Sequence, residues 1–312
     1  MIDLVSMGEC MVEFFTEEPS DSAVHFTRAV GGDAFNLLAA AQRLGSTTAF
    51  VTRAADDAFG RYLHASWAAS GVDLRYVRRD DSFNGAYFIA TGVEGQREFT
   101  YYRKGSAAGR ISCSDLDAID FGGLRAFHTS GITQALSETS RNAAVEGLRR
   151  ARIAGAATSF DLNYRPRLWG RDVAREALLQ VLPFVNYLFA GVPEDTGPLL
   201  GTENVEDAAR LLHDAGAQVV VLKAGAQGAW ISDGNGLTPI PARIYGPAVD
   251  TTGAGDAFAG GFLHGVLSGM DLKQAGAIGS ICAGLKVLGR GAVASMPTGE
   301  EVFRRLAAES LE

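Results

Sequence analysis

Three cysteines in 312 residues, Cys10, Cys113 and Cys282, lie far apart and form no C-x-x-C pair. Their spacing excludes a disulfide framework and fits a reduced compartment. The five histidines are equally scattered, which argues against a zinc site. No run approaches the roughly 18 uncharged apolar residues of a membrane span. The opening MIDLVSMGECMVEFF lacks a basic segment and a small-residue cleavage site, so it reads as the first strand of the fold rather than a secretory leader. A cytoplasmic protein is expected. Positive charge is in deficit, with a net charge of −8, and this disfavours nucleic acid or an anionic membrane as partner. An anionic small molecule would have to be held by a local cluster. Two phosphate-binding fingerprints are also missing. There is no Gly-Lys-Ser/Thr triplet, and a G-x-G-x-x-G pattern starting at Gly253 fails because Phe258 stands where its last glycine belongs.

What is present is an alternation of short β-rich runs with longer helical patterns. STTAFVTRA (46–54), AFHTSG (126–131), AATSFDLN (from 156), VNYLFAG (from 185) and QVVVLKAG (from 218) read as strands. Between them, residues 57–71, 137–155 and 204–216 carry helical apolar spacing, with Ser137 as an N-cap. Strands alternating with helices predict a mainly parallel sheet covered on both faces, with ligands beyond the C-terminal strand ends. Residues 9–30 and about 73–110 break the rhythm, being strand-rich without helical period. They predict a small antiparallel sheet forming a lid over those strand ends. With 47% apolar residues and no linker or repeat, the chain reads as one α/β domain spanning 1–312, a three-layer sandwich with a β lid.

The stretch DTTGAGDAFAGG (250–261) carries the first chemical signal. A loop turning into a helix near Ala254–Asp256 points backbone N–H groups outward at a positive dipole end, which is an anion site. Gly253 and Gly255 would let phosphate oxygens approach the backbone. Asp256 would sit in the first turn. A carboxylate beside an anion hole is useful if the anion is a transferring phosphoryl group and the carboxylate takes the proton of the attacking hydroxyl. The plainer alternative is a helix-capping aspartate behind a glycine turn.

Three segments resemble the ribokinase-like (PfkB) sugar kinases in the expected order. DTTGAGDAFAGGF is similar to their C-terminal signature, GGDAFNLLAAAQRLG (31–45) to their N-terminal signature, and VLKAGAQGAWI (221–231) to their K-x-G-x-x-G segment. The resemblance spans nearly the whole chain. It implies ATP-dependent phosphorylation of a hydroxyl with Mg²⁺, Asp256 as general base, and Gly253, Ala254 and Gly255 as the anion hole. It further implies that Lys223, Gly225, Gly228 and Thr252 lie at the nucleotide, and it leaves open a monovalent cation such as K⁺ near Asp250. One departure stands out: Gly191-Val192-Pro193-Glu194 replaces the family's N-x-x-E. Glu194 keeps the acidic position tied indirectly to the metal, or it is simply a first-turn residue after Pro193.

The acceptor side is read from two arginine-bearing stretches. FTYYRKGSAAGR (99–110) places Tyr101 and Arg103 on one face of a strand, and SFDLNYRPRLWG (159–170) places Arg165 and Arg167 just beyond a buried strand. Arginine's planar fork grips a carboxylate, which a neutral sugar does not require. The alternative is that these arginines are solvated or paired with acidic neighbours. YYRKGSAAG, HTSGIT (128–133) and DLNYRPRLW together resemble the 2-keto-3-deoxygluconate kinase branch. That resemblance implies an acceptor pocket of Gly32, Asn36, Tyr87, Tyr101, Arg103, Ile132 and Arg165. Asn36 equally well begins the following helix, and Tyr87 equally well packs the lid. Fructokinase, 5-keto-2-deoxygluconate kinase and a non-catalytic sugar-binding relative are the competing readings. Apolar residues on the lid suggest a homo-oligomer paired through it.

Overall fold

The computed structural model describes residues 1–19, 21–91 and 97–309. The chain opens with β1 (Ile2–Met7), β2 (Met11–Pro19), β3 (Thr27–Gly31), α1 (Asp33–Arg43), β4 (Thr48–Ala55), α2 (Ala58–Ala69) and β5 (Val77–Asp80). It continues through β6 (Ala86–Thr91), β7 (Arg97–Tyr102), β8 (Leu124–Ser130), α3 (Gly131–Leu136), α4 (Glu138–Ile153), β9 (Ala157–Asp161) and α5 (Arg171–Val181). The remainder is β10 (Tyr187–Gly191), α6 (Thr196–Leu200), α7 (Val205–Asp214), β11 (Val219–Lys223), β12 (Ala229–Ser232), β13 (Leu237–Ile240), α8 (Ala254–Leu267), α9 (Leu272–Lys286) and α10 (Gly299–Glu309).

Nine strands form one sheet in the order β13-β12-β11-β10-β9-β8-β1-β4-β5. It is parallel from β11 to β5, and β12 and β13 are added antiparallel at one edge. Successive residues point to opposite faces, and the sequence exploits this. Val5, Val51, Phe127, Leu188 and Val220 face one core with α4, α5 and α7. Their neighbours Leu4, Phe50, Ala126, Phe189 and Val221 face a second core with α1, α2, α8 and α9. Because both faces are covered, these strands read as continuous apolar runs rather than alternating ones. The three-layer α/β sandwich is therefore as expected.

A second sheet has the order β3-β2-β6-β7 and stands over the C-terminal strand ends. Its two outer pairs are antiparallel hairpins, while β2 and β6 are joined in parallel. The expected lid segment 73–110 is too broad. YVRRDD (76–81) supplies β5, which pairs parallel with β4 at the edge of the large sheet, and Ala107–Arg110 is a 3₁₀ turn. A strand of four residues with three charges is indistinguishable by pattern from a lid strand. Its place is set by the α2 crossover before it, which returns the chain to a parallel neighbour. Residues 92–96, between β6 and β7, lie outside the described residues. Ser137 caps α4 as expected, accepting from the Ser140 N–H at 3.1 Å.

Candidate active site

α8 begins where the sequence places it. Gly253 is its N-cap, with φ of 80°, a left-handed conformation that favours glycine. The Ala254 N–H is engaged by the Thr251 carbonyl at 3.1 Å. The following first-turn amides, Gly255 and Asp256, have no intrahelical acceptor by the geometry of a helix start. Gly253, Ala254, Gly255 and Asp256 all line a cavity of about 1550 Å³ between the strand ends and the lid. That exceeds the roughly 300–1,000 Å³ of a site for one small ligand and suits two.

Asp256 is one of several acids in that cavity whose carboxyls are raised, with Asp33, Glu9 and Asp195. Its carboxyl is pushed up to about 7, first by burial and then by the nearby Asp33 carboxylate, against a hydrogen bond from Asn36. A carboxylate poised near neutrality beside anion-binding amides is a proton acceptor in waiting. Asn36 lies on α1, donates to Asp256 Oδ2 at 2.8 Å and accepts from the Gly32 N–H at 3.3 Å. It thus ties down the first turn of its helix and also holds the Asp256 carboxylate, while lining the cavity.

A buried ion pair lies beside the glycine loop. Lys223 Nζ donates to Asp161 Oδ2 at 2.6 Å, and a Cβ on Gly255 would come within 3.3 Å of that ammonium. Burial works against the Lys223 charge, but Asp161 and the more distant Asp195 and Asp256 hold its pKa above the ordinary value. Lys223 therefore puts a positive charge beside the Gly253–Gly255 loop. Gly225 and Gly228 follow it in the β11–β12 turn and line the same wall with Thr252.

The residues expected at the acceptor all line this cavity, though their commitments differ. Arg103 forms a buried ion pair with Glu9 and lies over the Tyr101 ring at 4.8 Å. Its fork is therefore turned inward onto a protein carboxylate. Arg165 is exposed at the cavity, donates to the Tyr164 carbonyl at 3.0 Å and makes no ion pair among the described residues. Tyr87 donates to the buried Glu13 carboxylate, and its ring stacks on Tyr101 with centroids 5.6 Å apart. Gly32 and Ile132 line the cavity floor.

Sequence reasoning passed over several residues here. Asp33 sits on that floor with Oδ2 held by Ser130 and by Asn163 Nδ2 at 3.3 Å, while its buried Oδ1 has no hydrogen-bond partner among the described residues. Burial keeps this carboxyl above the usual range. A buried acceptor atom left without a donor, in a cavity built for ligands, matches a substrate hydroxyl. Its position directly behind Gly31-Gly32, at the first residue of a helix, was the available signal. Asp161, Asn163, Glu9 and Glu13 gave none, because their partners are distant in sequence.

The metal position can be tested on residue 191. A Cβ there would meet Asp195 Oδ2 at 3.2 Å and Glu194 Oε2 at 3.3 Å, so two carboxylates share the space beside Gly191. Asp195 is in turn held by the Gly191 and Tyr164 amides. Among the described residues no group of three acidic, His or Cys side chains could hold a metal ion alone. This fits Mg²⁺, which is usually bound by one or two carboxylates, waters and substrate phosphates. Glu194, exposed at the cavity wall, is the residue that would reach it.

A half-buried carboxylate behind a glycine loop, under a β lid and at the ends of a parallel sheet, is the layout of a small-molecule kinase. The family model described as pfkB family carbohydrate kinase matches residues 1–299, and the chain belongs to that family. It is a carbohydrate kinase. A 2-dehydro-3-deoxygluconokinase of Thermoproteus tenax is 35% identical over 281 residues, covering 88% of this chain and 85% of the relative. A 2-dehydro-3-deoxygalactonokinase of Haloferax volcanii is 34% identical, covering 89% and 88%. Among solved structures, a PfkB protein from Polaromonas sp. JS666 superposes with a TM-score of 0.86 at 30% identity, covering 98% of this chain and 100% of that one.

Proposed function

We propose that this kinase transfers the γ-phosphoryl group of ATP to the terminal hydroxyl of 2-keto-3-deoxygluconate, giving 2-keto-3-deoxy-6-phosphogluconate and ADP. The observation that carries the reading is Asp256, raised to about 7 and clamped by Asn36 behind the Gly253–Gly255 loop. In this reading the terminal hydroxyl oxygen forms the new O–P bond while the bond from the γ-phosphorus to the bridging oxygen breaks. Asp256 takes the hydroxyl proton. The first-turn amides of α8 and the Lys223 ammonium stabilise the charge on the phosphoryl oxygens. Mg²⁺ would neutralise the nucleotide phosphates, with Glu194 on its side of the cavity. Arg165 is the arginine whose fork is available to the sugar-acid carboxylate. Asp33 Oδ1 would accept a hydrogen bond from a chain hydroxyl.

The relatives named for 2-dehydro-3-deoxygluconate and 2-dehydro-3-deoxygalactonate support a sugar acid as acceptor. One observation favours a neutral hexose, as in a fructokinase: Arg103, the second expected carboxylate ligand, is already neutralised by Glu9. ADP release with ATP and Mg²⁺ separates the two, comparing 2-keto-3-deoxygluconate with fructose, ribose and gluconate at equal concentration. Preference for the keto-deoxy acid is expected. Preference for fructose would overturn the acceptor assignment and leave the kinase in place, and ATP binding without turnover on any acceptor would favour a sugar-binding regulator.

The lid also supports pairing of two copies. Its face away from the cavity carries Phe14 stacked on Phe88, with Phe26 and Tyr102 edge-on to Phe88, and Tyr102 is 62% exposed. Light scattering on Tyr102→Glu, expected to shift the particle toward a single chain, tests this.

A further inference from the structure

Lys286 is the last residue of α9, and its side chain is completely buried. A lysine ammonium is almost never enclosed without compensating oxygens, because stripping its water costs several kcal/mol. Here two such oxygens belong to Asp250. Lys286 Nζ donates to the Asp250 carbonyl at 2.8 Å and stands 3.9 Å from its carboxylate Oδ2. Burial opposes the Asp250 charge, but the Thr252 amide and Lys286 hold its carboxyl below the ordinary value.

Asp250 is the hinge of the glycine loop. Its Oδ1 accepts from the Thr252 N–H and its Oδ2 from the Gly291 N–H, each at 2.9 Å. Its own N–H, like that of Val249, donates to the Val287 carbonyl. The strap just beyond Lys286 is thereby clipped to the loop that starts α8. Ala292, on that strap, would touch a Cβ placed on Gly253 at 3.4 Å, so strap and anion hole are in direct contact. A displacement at Asp250 would be passed to the amides of Gly253–Gly255.

The resemblance to ribokinase-like enzymes left open a monovalent cation near Asp250. The residues present do not fit one on that carbonyl. An ammonium group already donates to it at 2.8 Å, and two cations would compete for the same oxygens within a few ångströms of each other, at a steep Coulomb cost in a buried site. We propose that Lys286 is the built-in cation of this loop, a positioning residue that orders the Gly253–Gly255 amides through Asp250, so that the enzyme takes no activating monovalent ion there. The proposal rests on those amides being the phosphoryl site, as in the proposed function, but its readouts are separable from turnover.

The test compares the full-length protein in potassium chloride and in tetramethylammonium chloride at matched ionic strength, through melting temperature, calorimetric affinity for Mg·ATP, and turnover. Wild type is expected to differ by less than about twofold in affinity and turnover between the two salts, with its melting temperature unmoved. Lys286→Ala, which opens a cavity beside Asp250, is expected to bind Mg·ATP at least about tenfold more weakly in tetramethylammonium, from loss of a charged hydrogen bond. Potassium or ethylammonium should restore affinity and melting temperature to it, while Lys286→Met, which fills the space without charge, should stay impaired in every salt. Several-fold stimulation of wild type by potassium would overturn the proposal, as would a Lys286→Ala protein that equals wild type without potassium. Should the alanine variant not fold, the wild-type comparison and Lys286→Met decide alone. An enzyme with normal salt responses in binding and melting but no turnover on any sugar acid would leave the proposal standing and refute the acceptor reading instead.

Discussion

Asn36 on α1 and Asp256 on α8 are 220 residues apart in sequence and share a hydrogen bond of 2.8 Å between the amide nitrogen and Oδ2. The bond favours the ionised carboxylate, so it partly offsets the burial that raises the Asp256 pKa. In Asn36→Ala the Asp256 pKa should therefore rise further. Turnover at pH 7 should fall about tenfold or more, and the acid limb of kcat against pH should move to higher pH. An unmoved limb would show that the amide does not tune the base.

Asp256→Asn should lower kcat by about 10²–10⁴-fold, the usual contribution of a general base. It should leave Mg·ATP affinity nearly unchanged, because the amides and Lys223 are intact. Stability should respond in the opposite direction. A carboxyl whose pKa rises on folding from 3.8 to about 7 binds more protons folded than unfolded, so stability falls as pH rises through that window. The variant removes that penalty. Its melting temperature should exceed that of wild type at pH 8, by the equivalent of roughly 2 kcal/mol after allowance for screening at the cavity mouth. The difference should close near pH 4. Equal melting temperatures at both pH values would mean that Asp256 is not strained by burial.

The two arginines should separate binding from folding. Arg165→Lys keeps a charge but loses the fork, so KM for the sugar acid should rise about tenfold with KM for ATP unchanged. Arg103→Ala strands Glu9, which is 1% exposed, and should cost about 3–5 kcal/mol of stability. Urea titration and substrate kinetics on both variants check the division. If Arg103→Ala proved stable but specifically lost sugar affinity, the inward pairing with Glu9 would not describe the working enzyme.

Much of this was legible in the sequence for local reasons. The α8 start needs only two glycines and an aspartate within one turn, and the parallel strands announce themselves as apolar runs between helices. Lys223 was singled out only through a resemblance, and it does line the cavity, but no local rule reveals its partner Asp161. Arg103 and Tyr87 were found as cavity residues, whereas their commitments to Glu9 and Glu13 were invisible. Those pairings join Glu9, between β1 and β2, to Arg103 just beyond β7, and Glu13 on β2 to Tyr87 on β6, and only the fold brings these segments together. β5 was misplaced because four residues carry too little pattern to choose between two sheets.

Gly260 connects the packing to the chemistry. A Cβ there would lie 2.5 Å from the Leu37 carbonyl and 2.8 Å from the Ala40 Cβ, so α1 and α8 approach over a glycine that no other residue can replace without movement. The nearer atom is backbone, and relief requires one helix to shift. Leu37 adjoins Asn36, so the shift falls on the hydrogen bond that holds Asp256. Gly260→Ala should lose about 1–3 kcal/mol from overpacking. It should also lower kcat severalfold while KM for ATP stays within about twofold, because Gly225 and Gly228, the proposed nucleotide wall, lie on a different element. Melting curves and kinetics measured together distinguish this from plain destabilisation, which would reduce the active fraction without moving the acid limb of the pH profile. In Gly260→Ala that limb should move upward, in the same direction as in Asn36→Ala.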